Sequence, residues 1–184
     1  MSCYPSCTSA SLLNITGICN SPDVSNILNQ YPYWYQMIVP EHLTIPDENP
    51  EISVIESLNI TVDIYRKKVI LVPESPTNAN GDFIPNLEGK ISTGRKLVIE
   101  GQICQNIVYS TDDQASPSYA INFYYPFSSY IVLPQTITTA TGDVDTINID
   151  FNVNSCIEDV RVTIEEPRKL LAEVIMLLYA TPNL

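Results

Sequence analysis

The apolar residues of this chain fall into short runs with a period of two. In residues 58–64, Leu58, Ile60, Val62 and Ile64 alternate with polar neighbours. Successive side chains of a strand point to opposite faces, so this spacing predicts a strand with one face in a core and one in water. Residues 69–72 form a second apolar run that stops at Pro73. Between 96 and 109, Leu97, Ile99, Ile103, Ile107 and Tyr109 share a face. Gly101 interrupts them and marks a bulge or a close backbone approach. Residues 110–117 read as a turn. Tyr119, Ile121, Phe123 and Tyr125 then alternate with smaller residues, so the two runs predict a hairpin. Pro126 is expected to break that strand, and residues 129–133 to form another that ends at Pro134. Residues 146–153 and 160–164 alternate cleanly. The last run, 169–179, has helical composition, but its neighbours are strands. A buried strand that closes the sheet is expected there.

About eight short strands separated by Pro- and Gly-marked turns predict an all-β fold, an antiparallel β-sandwich or barrel-like domain. The first 35 residues differ. They are rich in Ser, Asn and Cys, and Asp23 is their one charged residue. They read as an extended N-terminal arm, with a short helix at 21–28 where Pro22 and Asp23 suit a helix start. The division expected is a Cys-bearing arm over 1–37 and a β domain over 38–184. Three prolines between 40 and 50 predict an extended connector. Residues 73–95, rich in Pro, Asn and Gly, predict a long loop that carries a minor element or a contact.

Composition narrows the function. The chain has 184 residues, 45% hydrophobic and 16% charged, which suits a packed core and not a disordered chain. Its net charge is −12 with nine Lys and Arg, so nucleic acid and anionic lipid are poor partners. The apolar run 174–180 is far shorter than the ~20 residues that span a bilayer, so no membrane insertion is expected. The first residues lack a basic start and an apolar stretch, so no signal peptide is expected and the chain would be made in a cytoplasm.

Candidate chemistry is sparse. The one histidine, His42, has no Cys, Asp or Ser beside it in sequence, so it reads as an exposed residue and no enzyme is expected. Cys3, Cys7 and Cys19 lack paired zinc-knuckle spacing and a nearby histidine. Residues 142–145 and Asp112-Asp113 read as a plain turn and a solvated acidic tip rather than calcium loops. Glu165 and Glu166 are adjacent on a strand and point apart, so they make no acid/base couple. No cofactor and no metal are expected. The Asn14-Ile-Thr16 and Asn59-Ile-Thr61 triplets match a glycosylation pattern by chance when no secretion signal accompanies them.

Two features point to assembly. Five cysteines, Cys3, Cys7, Cys19, Cys104 and Cys156, leave at least one thiol without an intrachain partner. They read either as reduced thiols or as intermolecular bridges, with Cys3, Cys7 and Cys19 of the arm as the cross-link candidates. The cluster Tyr31-Pro-Tyr-Trp-Tyr35 supplies the interface candidates Tyr31, Tyr33, Trp34 and Tyr35. Such residues carry apolar bodies with polar tips and suit interfaces. The alternative for them is packing on the chain's own sheet.

Residues 45–58, 97–109 and 123–134, the strand beginning at Cys156, and Arg168-Lys-Leu170 together resemble the SPOCS domain of spore-coat proteins in endospore-forming bacteria. That domain also occurs in the coat morphogenetic protein SipL. The resemblance covers about four fifths of the chain, as expected of a domain-sized match. It implies a β-rich, non-catalytic module of coat assembly, deposited by the mother cell from its cytoplasm and oxidised after lysis. The LysM module that accompanies the domain in SipL-like proteins has no counterpart after Leu170, and the Cys-bearing arm lies outside the resemblance. The expected function is therefore a structural, self-assembling subunit of a spore coat, exosporium or spore-surface filament, bridged by disulfides. Its partners would be copies of itself or other spore-coat proteins. An adaptor docking another coat protein through the aromatic arm, and a carbohydrate-binding or adhesive module, are the alternatives.

Overall fold

The computed structural model describes residues 14–112, 117–140 and 142–184. In chain order the elements are β1 (Asn14–Thr16), α1 (Ser21–Gln30), β2 (Tyr33–Thr44), β3 (Val54–Glu74), β4 (Thr93–Ser110) and β5 (Tyr119–Leu133). Then follow β6 (Thr136–Thr139), β7 (Gly142–Asp145), a 3-10 turn (Thr146–Asn148), β8 (Asp150–Glu166) and β9 (Lys169–Asn183). The fold is all-β and sandwich-like. One sheet has the order β1-β3-β4-β5, the other β2-β9-β8, and β6 and β7 form a small hairpin. Every pairing between these strands is antiparallel except β1 with β3, so the first sheet is mixed.

Alternation builds the core. On β4 every second residue from Leu97 to Tyr109 points inward, and Leu97, Ile99, Ile103, Ile107 and Tyr109 are fully buried. Facing them, β9 turns Leu170, Ala172, Val174, Met176, Leu178 and Ala180 inward. Each large aliphatic side chain buried this way contributes about 1.5–3 kcal/mol. The run at 169–179 is thus a strand, as expected. It is the central strand of its sheet and not one that closes it, because both its edges are taken, by β2 and by β8.

The strands are longer than periodicity alone predicts, and prolines account for the difference. Pro126 lies inside β5 and Pro40 inside β2. Both are edge strands of their sheets, where a missing N–H leaves only one ladder incomplete. Residues 119–125 and 129–133 are therefore one strand, and residues 40–44 are strand and not connector. A register shift at Tyr65 lets residues 58–64 and 69–72 run on as the single strand β3. Residues 146–148 are a 3-10 turn, so β8 starts only at Asp150.

Gly101 pairs with Ile64 and Phe127 and lies opposite the register shift of β3 between Ile64 and Arg66, so it marks both a bulge, carried by β3, and a close approach. A Cβ there would lie 2.6 Å from the Asp63 carbonyl oxygen and 2.7 Å from the Phe127 ring.

The boundary expected at 37/38 falls inside β2, because Tyr33 to Thr44 pair continuously with β9. The described part of the arm lies against the sandwich. β1 runs parallel to residues 57–59 of β3, then Ile18 bridges to Ile157 of β8. This strap spans the seam where β3 meets β8. Gly17 permits the crossing: its φ is +97°, and a Cβ would stand 1.9 Å from the Ile60 carbonyl oxygen. Asn20 then caps α1, its side chain accepting from the Asp23 N–H at 3.1 Å.

Candidate interaction surface

The aromatic cluster divides when it folds. Tyr31, just past α1, packs on Tyr179 of β9 with ring centres 4.9 Å apart. Tyr33 turns its edge to the buried Phe151 of β8 at 6.2 Å. Both of these interface candidates are thus engaged by the domain itself. Alternation along β2 sends Tyr33 inward, whereas Tyr31, the residue that ends α1, lies on the outward side of β9 against Tyr179.

Trp34 and Tyr35 stay 43% and 40% exposed. Tyr35 stacks on Tyr130 of β5, with centres 6.0 Å apart and planes 18° from parallel. This contact crosses the seam where the edge strands of the two sheets meet. Lys96 of β4 sits 3.8 Å above the Tyr130 ring, a cation–π geometry. Ile38, next but one after Gln36 on the outward face of β2, is 63% exposed. Exposed side chains therefore line both sides of this seam as one edge patch: Trp34 and Ile38 on the outward face of β2, Tyr130 and Lys96 on the outward face of the first sheet, with Tyr35 reaching between them.

A loop leans toward this patch. Residues 75–92 contain two hairpins of the form Asn-x-x-Gly-x, at 78–82 and 86–90. In each, the Asn side chain accepts the backbone N–H groups two and four residues on. The isolated Thr77–Phe83 bridge is the minor element of the loop. Lys90 has its pKa raised mainly by its hydrogen bond and charge pairing with Glu88, and also by the Tyr130 and Tyr35 hydroxyls. The second hairpin thus lies near the stacked tyrosines. Its Leu87 is fully exposed, and Ile84 and Ile91 are each nearly half exposed.

The cysteines are placed differently from expectation. Cys19 is bonded to Cys156 in the same chain, with Cα atoms 5.8 Å apart, so it is not an intermolecular cross-link. The strap brings it there, and the Cys19 N–H donates to the Ile157 carbonyl at 2.8 Å. Cys104 is a free, half-buried thiol on the outward face of β4. Cys3 and Cys7 lie outside the described residues.

The acidic candidates serve the fold. Asp145 accepts from Arg95 Nε at 3.0 Å and Nη2 at 2.7 Å, and from the Ile147 N–H at 3.0 Å. These bonds, the Arg95 one first, hold its carboxyl down to about 2. Asp112 accepts from the Ser53 hydroxyl; Asp113 lies outside the described residues. His42 is exposed, its Nδ1 3.6 Å from a Glu165 carboxyl oxygen. Among the described residues no group of three His, Cys, Asp or Glu could hold a metal, and no helix is long and apolar enough to cross a membrane.

Sequence reading missed Tyr130, Lys96 and Glu41. Tyr130 was legible only as part of a strand, and its outward face follows from the register of β5 with β4. Glu41 is fully buried, the one acidic residue in the core among the described residues. It occupies an apolar series, Met37, Val39, Leu43 and Ile45, that the proline at 40 disguises.

Comparison with protein-family models, with curated proteins and with solved structures finds no match to this chain.

Proposed function

We propose that the chain is a non-catalytic structural subunit that assembles with copies of itself in a bacterial spore coat or spore-surface layer. The observation that carries the assembly reading is the exposure of large apolar side chains on two edge strands that meet at one seam, Trp34, Tyr35 and Ile38 on β2 and Tyr130 on β5, with Leu87 at the tip of the neighbouring loop. Monomeric proteins rarely leave large apolar side chains grouped in this way, and grouped aromatics anchor protein contacts. A contact between this end and a different surface of the next copy would be head-to-tail and would give open filaments or lattices. Cross-links between copies would then fall to Cys3 and Cys7, since Cys19 is engaged within the chain. The spore-coat setting and mother-cell origin follow from the resemblance of residues 45–58, 97–109 and 123–134 to the SPOCS domain.

Sedimentation velocity over a hundredfold range of concentration tests the reading. Wild-type protein is expected to form larger species as concentration rises, and the Trp34→Ser/Tyr35→Ser variant to remain monomeric with an unchanged circular dichroism spectrum. Equal behaviour of the two proteins contradicts the assignment of the patch. Loss of binding to another coat protein with self-assembly intact would make the chain an adaptor instead.

A further inference from the structure

Glu41 lies on the inward face of β2, between Val39 and Leu43 and opposite Ala172 of β9. It is 0% exposed. From the facing sheet Gln105 of β4, itself 1% exposed between Ile103 and Ile107, donates its Nε2 to Glu41 Oε2. This bond joins the two sheets through the middle of the core. It leaves two atoms without partners: Oε1 of Glu41 and Oε1 of Gln105, both buried.

Both orphan atoms are acceptors, and a buried acceptor without a donor is costly. A carboxylate and a carboxamide oxygen have no proton to share. A carboxylic acid has one. An acid and an amide held side by side can close a ring of two hydrogen bonds, N–H to one carboxyl oxygen and O–H back to the amide oxygen. A single proton on Glu41 supplies the donor that both oxygens lack.

The surroundings offer no other compensation. Of the inward-facing titratable residues on the adjoining strands, Tyr33 and Tyr35 on β2, Tyr109 on β4, and Tyr119 and Tyr125 on β5 are phenols, and Arg95 at the start of β4 is taken by Asp145. The inward positions of β9 are apolar. On β3, Lys67 directs its ammonium to Asp150 and the Phe151 carbonyl, at the far side of the sandwich. The remaining charged groups on these strands, including His42, Glu173, Arg161 and Glu100, lie on outward faces.

We propose that Glu41 and Gln105 form a proton-operated lock between the two sheets, an acid–amide pair that clamps β2 to β4 while Glu41 is neutral and loosens when it ionises. The proposal stands apart from the assembly reading, although β2 also carries Trp34 and Tyr35. Burial pushes the Glu41 carboxyl up to about 8, against a smaller lowering by the Gln105 bond. In the unfolded chain the same carboxyl titrates in the ordinary range near 4.5. Below that range both states hold the proton and the stabilisation is complete. Between the two values the unfolded chain has released its proton and the folded chain has not, so stability falls as pH rises. Above about 8 the folded state ionises too, the decline ends, and the lock is open.

Urea unfolding from pH 5 to 9 compares wild type with Glu41→Gln, which keeps an amide pair and cannot ionise. The ratio of their unfolding constants is expected to rise on the order of tenfold per pH unit up to about pH 8 and then level. A ratio that stays flat overturns the proposal. Carbon NMR of the Glu41 carboxyl in the wild-type chain decides independently if the variant does not fold. A midpoint above 7 supports the lock, and a midpoint in the ordinary carboxylate range overturns it.

Discussion

Cys19 and Cys156 are joined across 137 residues of sequence, and their bond fastens the strap that crosses from β3 to β8. Cys156 lies beside Leu177 in register on the outward face of the second sheet. Leu177 is fully buried although it points away from the core. The strap and α1 therefore act as a small second layer. They cover one end of a sheet face that would otherwise be wet.

Removing that bond tests the strap. Cys19→Ser/Cys156→Ser is expected to lower stability by about 2–5 kcal/mol, the usual cost of losing a native disulfide. Limited proteolysis should then cut first within residues 14–32, while β3 to β9 stay protected. Unchanged proteolysis would show that the strap is held by its backbone pairing alone.

Gly101 tests the packing of the first sheet. Gly101→Ala places a methyl group against the Phe127 ring and the Asp63 carbonyl oxygen. Overpacking of this kind costs about 1–3 kcal/mol. Adding Phe127→Leu should recover only part of the loss, because the backbone oxygen at 2.6 Å does not move with the ring. Thermal melts of the single and double variants give the comparison.

Arg95 and Asp145 tie β4 to the β6–β7 hairpin. The folded-state pKa of Asp145 is depressed to about 2 from an ordinary 3.8. Its stabilisation is therefore present above pH 3.8 and is lost as pH falls toward 2. Arg95→Met should melt lower than wild type at pH 6, and the gap should shrink by pH 2. A gap that is constant with pH would mean that Arg95 acts by packing and not by charge.

Much of this fold was legible in the chain. The alternation of Leu97 to Tyr109 and of Tyr119 to Tyr125 placed the β4–β5 hairpin, because a half-wet strand imposes its period on the sequence. What was not legible depended on partners distant in sequence. Pro40 and Pro126 read as breaks until the sheet order put them on edge strands. Cys19 read as available for a neighbouring molecule, since no spacing rule links it to Cys156. Tyr31 and Tyr33 could not be separated from Trp34 and Tyr35 by composition. Tyr33 and Tyr35 share a face of β2, and what separates them is the partner each meets, the buried Phe151 for Tyr33 and the exposed Tyr130 at the seam for Tyr35. Glu41 was hidden for the same reason: its burial comes from Gln105 and the opposite sheet, 64 residues away.

The central claim is self-assembly, and negative-stain imaging of the purified chain, with and without reductant, tests it most directly. Ordered filaments or sheets are expected without reductant, and shorter or fewer assemblies with it. Dispersed single particles at every concentration under both conditions would contradict the account.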